Sequence, residues 1–500
     1  MLTLRQYPVI VILLLIVSGG MLIPAIEAAN TGEWAIARSF LYHGVFFGIV
    51  SVILGTATMN SRPRLAARYH LLSLMATYFL LPIALAAPLA PIFPSFTFGE
   101  LYFEMLSSLT TTGATLFERP SLVADPIHLW RAMVGWFGGL MVLVTAFAVL
   151  APLNLGGFEI SQDSMALRGS GIGTSLDEAS RRIRTFTRLI TPVYALMTGL
   201  LAFVLIVLGD KPITALCHAM STLSTSGISP LPNLEAAGSG RLGEIAIACF
   251  LLLAISHRGL NMQILRLKPP NFRNPQIQLM LISVLGVTLL LFLRSFIGAV
   301  EIDRQGQIGS AILAVWGSIF TVLSFLTTTG FESHDWRTMQ IWSGLPDPAA
   351  ILLGVAAMGG GIATTAGGIK LLRLYALYRH GLREMDKLVH PSSLGRQGEG
   401  DQLISEQGSK IAFVFLMLFL VALASMMIAF SATGLGFEES LTFSIASLTT
   451  TGPAILIGDG EFRYSDLTAA GQVIFGIGMV VGRMETLVVI ALFNPAFWRN

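Results

Sequence analysis

Thr110-Thr111-Thr112-Gly113 ends an apolar segment of the chain, and three close copies end apolar segments further on. The copies are Ser224-Thr225-Ser226-Gly227, Thr327-Thr328-Thr329-Gly330 and Thr449-Thr450-Thr451-Gly452, each directly after a leucine. Their glycines lie 114, 103 and 122 residues apart. That period is too long for a solenoid repeat and suits a block of two membrane helices with a short segment between them. The copies therefore predict four related blocks that surround one axis.

The repeated stretch combines three hydroxyl residues with a glycine, and its chemistry follows from both. Glycine adopts backbone angles that are closed to other residues, so successive carbonyls can turn to one side while hydroxyl groups face away or add oxygens. Rings of such oxygens replace the hydration shell of K+ in potassium channels. One copy alone is better explained as a helix that ends at a glycine cap, but four copies favour an ion filter. The residues predicted to hold K+ are Thr111, Thr112, Gly113, Thr225, Ser226, Gly227, Thr328, Thr329, Gly330, Thr450, Thr451 and Gly452.

The composition is that of an integral membrane protein. Of the 500 residues, 54% are hydrophobic and only 12% are charged, which excludes a chain with an extended aqueous surface. The two cysteines, Cys217 and Cys249, both lie in apolar surroundings, so neither a disulfide framework nor a thiolate metal site is expected. No cluster of His, Asp and Glu at helical spacing is found, so an enzyme is not expected.

The first 60 residues predict a helical hairpin ahead of the blocks, with spans at 7–26 and 34–57. The end of the first span, Ile26-Glu27-Ala28-Ala29, is also compatible with a signal-peptide cleavage site. The run is long enough to cross a membrane and a second span follows at once, so an uncleaved hairpin is favoured.

Each block is predicted to contain a span, a short segment that enters the membrane and returns, the filter copy, and a second span. Irregular backbone at membrane depth is tolerated only where it lines a water-filled path, so each short segment should present its C-terminal end to a pore. The blocks cover 61–160, 175–270, 275–395 and 405–500, with spans at 69–91, 127–150, 183–208, 242–265, 277–297, from 348 onward, 411–434 and 467–492, and short segments at 98–109, 212–223, 310–326 and 437–448.

The distribution of Lys and Arg predicts the orientation. Twenty-one of the 31 lie on the side that holds the termini and the linkers between blocks, and eight lie on the side of the filter copies. By the positive-inside rule, both termini and the linkers are cytoplasmic and the filter copies face outward.

A glycine-rich stretch, GGGIATTAGGIK at 359–370, interrupts what would otherwise be one long span in the third block. Its backbone polar groups must be satisfied by protein or by water, so it is expected in the pore below the filter. The alternative is a kinked, tightly packed helix. Arg483 lies within the last span, where a charge is costly, and is expected to face the pore or a partner rather than to reach the membrane surface from a helix end.

Together, these features make the chain similar to TrkH-type subunits of the Trk/Ktr/HKT potassium-uptake superfamily. The resemblance is carried by the four filter copies, the N-terminal hairpin, the glycine-rich stretch, Gly482-Arg483-Met484-Glu485, and FNPAFWR at 493–499. It implies an all-α polytopic membrane protein with fourfold pseudo-symmetry around one pore. Each repeat consists of a first membrane helix (M1), a pore helix and a second membrane helix (M2). It also implies a homodimer with one pore per subunit and a TrkA-like cytoplasmic nucleotide-binding regulatory subunit. The gate that it implies consists of Gly359, Gly360, Gly361, Thr364, Thr365, Gly367, Gly368 and Arg483.

Other charged residues are given simpler roles. Arg38, Arg131 and Arg294 fall near span ends, where long side chains reach the membrane surface. Glu104 and His218 lie in the short segments and are expected to act in packing or in the electrostatics of the pore mouth. Glu332, two residues after Gly330, is expected to concentrate cations there.

The function predicted is that of a K+-selective ion-conducting subunit for K+ uptake across the bacterial cytoplasmic membrane, gated from the cytoplasm. K+ is the transported ion, and no organic cofactor is expected in this chain. A secondary K+/H+ or K+/Na+ symporter of the same fold is the alternative. Such carriers usually have several carboxylates inside the membrane, and few occur here.

Overall fold

The computed structural model describes residues 8–58, 66–151, 176–255, 275–301, 308–343, 348–390, 406–455 and 462–484. Within these ranges the chain consists of α-helices, short 3-10 turns, one π-helical turn and irregular loops, with no β-strand. Seven helical stretches there are long and apolar enough to cross a membrane. The protein is therefore an all-α polytopic membrane protein.

Three helices form the N-terminal part. α1 (Val9–Gly20) and α2 (Leu22–Asn30) follow each other end to end, and both pack against α3 (Trp34–Thr58). Ser18 Oγ donates a hydrogen bond to the Gly44 carbonyl at 2.7 Å, so the helices meet at small residues, as membrane helices commonly do. These helices correspond to the two spans expected at 7–26 and 34–57.

The next six helices belong to the first two blocks: α4 (Ala66–Ala86), α5 (Phe98–Leu109), α6 (Asp125–Thr145), α7 (Leu176–Val207), α8 (Pro212–Ser224) and α9 (Gly240–Leu251). The start of α5 is fixed by a capping box, in which Thr97 accepts from the Glu100 amide and the Glu100 carboxylate accepts from the Thr97 amide. Pro212 begins α8, where its fixed φ suits the first helical turn.

The last eight helices complete the chain: α10 (Pro275–Glu301), α11 (Ile308–Leu326), α12 (Trp336–Ser343), α13 (Ala349–Met358), α14 (Leu371–Val389), α15 (Glu406–Ser431), α16 (Phe437–Thr449) and α17 (Ala469–Met484). The short helix α12 is not expected from hydropathy, because it is polar. The long segment from 348 onward divides into α13 and α14, with the glycine-rich stretch as irregular backbone between them. The parts of two expected spans at 256–265 and 485–492 lie outside the described residues.

The helices pack in a cyclic order. The second helix of each block contacts the short helix of the next: α6 packs on α8, α9 on α11, α13 on α16, and α17 returns to α5. The short helices α5, α8, α11 and α16 therefore surround one axis in chain order. Aligned helix dipoles place partial negative charge at C-terminal ends, and the filter copies begin at the ends of these four helices.

Candidate functional site

Each of the four short helices ends in the same backbone turn. The second hydroxyl residue of each copy is left-handed, with φ of 54° at Thr111, 52° at Thr225, 58° at Thr328 and 55° at Thr450. Threonine is β-branched, and a left-handed backbone costs such a residue about 1 to 3 kcal/mol. Four outliers at one position indicate loops that are held in a set conformation by their surroundings.

Recurrent hydrogen bonds hold these turns. In each loop the amide of the third hydroxyl residue donates to the carbonyl five residues earlier, at 2.9 to 3.0 Å. In each loop the first and third hydroxyl groups also bond each other, at 2.8 to 3.1 Å. The first and third hydroxyl groups are thus engaged within their own loops. The amide bonds run from Thr112 to Ser107, from Ser226 to Ser221, from Thr329 to Ser324 and from Thr451 to Ala446.

The four loops touch one another in a ring. A Cβ on Gly113 would overlap the Ser226 carbonyl, and a Cβ on Gly227 would overlap the Thr329 carbonyl. The third loop meets the fourth, since a Cβ on Gly330 would lie 2.9 Å from Pro453. The fourth loop returns to the first, because the Gly452 amide donates to the Thr112 carbonyl at 2.6 Å. The filter copies, far apart in sequence, are therefore assembled into one cluster.

One glycine of the cluster differs from the others. Gly113, Gly227 and Gly330 have positive φ values of 76°, 64° and 82°, whereas Gly452 begins a 3-10 turn and has no positive φ. The equivalence of all four copies in sequence suggests a common backbone, and for the fourth glycine this is wrong. The physical reason is Pro453, because a proline restricts the conformation of the residue before it.

The glycine-rich stretch between α13 and α14 lies directly against the filter loops. The Gly367 amide donates to Thr328 Oγ1 at 2.7 Å, and Thr365 Oγ1 donates to the Leu223 carbonyl at 3.2 Å. A Cβ on Gly367 would overlap the Thr449 carbonyl. Small residues are thus required where the stretch passes behind three of the four loops.

Arg483 connects this stretch to the filter loops. The buried guanidinium donates to the Thr110 carbonyl at 2.7 Å, to the Thr365 carbonyl at 2.5 Å and to Thr450 Oγ1 at 2.7 Å, and it also donates to Thr111 Oγ1. A cation that is bonded to four oxygens of three separate loops does not reach for the membrane surface. Glu485, which is close to it in sequence, lies outside the described residues.

A family model described as "TrkH: Cation transport protein" matches residues 38–234 and 276–499. The chain belongs to the TrkH family. It is therefore a membrane transport protein and not an enzyme. The match includes all four filter loops, the glycine-rich stretch and Arg483.

Curated relatives and a solved structure agree with this assignment. The chain is 27% identical over 498 residues to the Trk system potassium uptake protein TrkH of Salmonella typhimurium, covering 98% of each protein. It is 27% identical over 435 residues to that of Halomonas elongata, covering 86% of this chain and 84% of the relative. The crystal structure of the potassium transporter TrkH from Vibrio parahaemolyticus superposes with a TM-score of 0.79 over the whole of both chains, at 21% identity. The last comparison establishes the fold.

A second set of residues in this TrkH family member fixes the chain just after the filter loops. Nine residues before the loop glycine, three of the short helices carry a polar side chain that bonds the returning segment. Glu104 Oε2 accepts from the Leu116 amide at 2.9 Å, and Thr321 Oγ1 accepts from the Ser333 amide at 3.2 Å. His218 Nε2 shares a hydrogen bond with Ser229 Oγ at 2.9 Å. Aligning the four copies on their glycines would reveal this position from sequence.

The role first assigned to Arg131 needs correction. Arg131 does not reach the membrane surface, because its side chain is 3% exposed and its Nε lies 2.6 Å from Glu104 Oε1. Hydropathy places Arg131 near a span end but cannot show that a carboxylate of α5 faces it. Arg38 is exposed and donates to the Trp34 carbonyl at 3.3 Å, and the side chain of Arg294 lies outside the described part of the structure.

We expect Glu104→Gln to destabilise the protein by about 3 to 5 kcal/mol, because it leaves the buried charge of Arg131 uncompensated. Thermal unfolding of the detergent-purified variant measures this loss. The double variant Glu104→Leu with Arg131→Met removes both charges and should recover much of it. A melting temperature for Glu104→Gln equal to that of the unaltered protein would contradict the structural role of the pair.

A cavity of about 370 Å³ lies next to the ring of loops, on the side where the chain continues from the loop glycines. It is lined by Gly113, Gly227 and Gly330 together with residues of the loops that follow. The segment that follows Glu332 is held by Glu244 of α9, which accepts hydrogen bonds from Ser333, the His334 amide and Trp316. Sequence reasoning does not single out Glu244, since its partners lie 72 to 90 residues away. Charged groups that line the cavity are Glu118, Arg119, Arg131, Glu332 and Arg463.

Glu332 is the group through which we expect pH to act on this cavity. Burial raises the pKa of the Glu332 carboxyl to about 7, with Arg337 acting in the opposite direction. The negative charge is thus present above that pH and is lost as the pH falls through it. We expect K+ flux at low external K+ to fall roughly twofold or more between external pH of about 8 and about 6, because the local cation concentration falls.

Flux into liposomes at several external pH values measures this effect, with Glu332→Gln as the matched control. The control should show the low flux at every pH in that range. A pH dependence that is the same in both proteins would assign the titration to another group.

Proposed function

We propose that this chain is the K+-selective ion-conducting subunit of an uptake system in the bacterial cytoplasmic membrane. The observation that carries the proposal is the ring of four filter loops at the ends of α5, α8, α11 and α16, with the glycine-rich stretch and Arg483 directly against it. Curated relatives with similar sequences are named potassium uptake proteins. The K+ site is assigned to Thr111, Thr112, Gly113, Thr225, Ser226, Gly227, Thr328, Thr329, Gly330, Thr450, Thr451 and Gly452.

The gate is assigned to the segment between α13 and α14 together with Arg483. Arg483 bonds Thr365 of that segment and also the first and fourth filter loops. Movement of the segment would therefore change the position of the positive charge of Arg483 relative to the filter. The gating residues are Gly359, Gly360, Gly361, Thr364, Thr365, Gly367, Gly368 and Arg483. Control from the cytoplasm follows if α14, which continues from the segment, transmits the movement.

The assembly that we propose follows from family membership and from the distribution of basic residues. Four blocks at 61–160, 175–270, 275–395 and 405–500 surround the pore with fourfold pseudo-symmetry, after the hairpin at 1–60. Both termini face the cytoplasm, two copies form a homodimer, and a TrkA-like nucleotide-binding subunit regulates the pore. K+ is the transported ion, and the chain needs no organic cofactor.

We expect α14 to form part of the docking surface for this regulatory subunit. Its outer part exposes Tyr378, Met385 and Leu388, with 62%, 55% and 82% of each side chain accessible. Apolar residues beside basic ones suit a protein partner, whereas basic residues alone would suit anionic lipid headgroups. Replacing Met385 and Leu388 by serine should abolish co-purification of the partner from native membranes. Unchanged recovery of the partner would exclude this surface.

Purified protein in liposomes tests the conducting function. With a K+ gradient alone, a K+-selective pore gives steady K+ flux that ceases at the K+ equilibrium potential. Changing the proton or Na+ gradient at constant membrane potential should leave this flux unchanged. Flux that follows either gradient would establish coupled symport instead.

A further inference from the structure

The fourth filter loop continues differently from the other three. Its glycine is followed by Pro453, whereas Ala114, Ile228 and Phe331 follow the glycines of the other loops. The pyrrolidine ring has no donor and no acceptor atom in its side chain, so it offers a cation no coordination. Whatever this ring does near the filter, it does by occupying space.

The Pro453 ring lies close to the glycines of all three other loops. A Cβ built on Gly227 would lie 2.7 Å from its Cγ, and one built on Gly330 would lie 2.9 Å from its Cβ. One built on Gly113 would lie 3.5 Å from its Cδ. The loops follow one another in cyclic order, so the second lies across the axis from the fourth. A ring that belongs to the fourth loop and lies this close to the second therefore extends toward the axis.

Two hydrogen bonds hold the fourth loop in this inward position. The Gly452 amide donates to the Thr112 carbonyl at 2.6 Å. One of the oxygens expected to bind K+ is therefore engaged in a hydrogen bond. The hydroxyl of Tyr464 donates to the Gly452 carbonyl at 2.8 Å. Tyr464 is buried, and its ring packs against Phe443 and Phe475, so this anchor is rigid.

We propose that Pro453 is a specificity-determining residue of the ion pathway. Its ring closes the outer end of the filter, and a cation enters only when it takes the Thr112 carbonyl from the Gly452 amide and the fourth loop moves outward. Ions that gain little from this carbonyl cannot displace the ring. The inference rests on the proposed function, because it assumes that the loops conduct K+.

Single substitutions separate the ring from its anchor. Pro453→Ala removes the part of the ring that touches Gly227 and leaves the Gly452 amide in place. We expect it to lower the external K+ concentration for half-maximal flux severalfold and to raise Na+ permeability relative to K+. Tyr464→Phe removes one hydrogen bond without changing the ring, so it should shift both quantities in the same direction by a smaller amount.

The experiment measures K+ and Na+ flux in liposomes for the unaltered protein first and then for both variants. If Pro453→Ala does not elute as one species in detergent, Pro453→Gly replaces it, because it also removes the ring atoms that lie beside Gly227. The inference alone is overturned if the unaltered protein conducts K+ but the Pro453 variant has the same half-saturating K+ concentration and the same Na+ permeability. Absence of K+ flux in the unaltered protein overturns the proposed function and the inference together. Shifts in the expected direction support both.

Discussion

Replacing Arg483 by alanine is expected to raise K+ flux about threefold or more. The guanidinium is the charge held against the filter loops, and it bonds Thr110, Thr111 and Thr450. Two like charges about 4 Å apart repel by roughly 4 kcal/mol at an effective dielectric constant of about 20. Recovering only about 1 kcal/mol of this barrier would raise the rate about fivefold.

Two further variants distinguish charge from structure. Arg483→Gln keeps a polar amide at this position but removes the charge, so its flux should also rise. Arg483→Lys keeps the charge, so its flux should stay near that of the unaltered protein. Reduced flux in both uncharged variants, with folded protein in the membrane, would show that Arg483 mainly supports the loops.

Replacing Gly113 by serine is expected to lower the K+ to Na+ permeability ratio about tenfold or more, which corresponds to about 1.4 kcal/mol. The residue has φ of 76°, and a Cβ there would overlap the Ser226 carbonyl of the next loop. Both the strained backbone and the overlap would displace oxygens of the ring. Reversal potentials under mixed K+ and Na+ gradients measure the ratio.

Gly286→Ser is the matched control for this substitution. Gly286 lies in α10, and a Cβ there meets no atom within 4 Å. Its permeability ratio should equal that of the unaltered protein. An unchanged permeability ratio in Gly113→Ser would show that the first loop is not part of the filter.

The sequence predicted the parts of this molecule that depend on local pattern. Hydropathy predicted the short helix at 98–109, which the structure has as Phe98–Leu109, because a short apolar run ends at the filter copy. The break at the glycine-rich stretch was predicted for a similar reason. Residues 363–368 are six successive small or hydroxyl-bearing residues. They lack the large apolar side chains with which a membrane helix packs, and the filter loops lie directly against them.

Contacts between particular side chains of distant segments were not predicted. The role of Arg131 was predicted wrongly because its partner, Glu104, lies on another helix. The pairing of the two helices cannot be inferred from the local sequence around either residue. Pro453 was overlooked because its importance depends on the cyclic order of the loops. That order is set by helix packing between blocks, such as that of α17 on α5, and not by local sequence.

The central claim is that four loops form one K+ site, and its most direct test is to observe the ion. Cryo-electron microscopy of the protein in KCl and in NaCl would show whether density lies on the axis between the four left-handed threonines. We predict density in KCl that is contacted by oxygens of all four loops, with the Pro453 ring displaced from the axis. A K+ ion bound elsewhere, or an axis that is empty in KCl as well as in NaCl, would contradict the account.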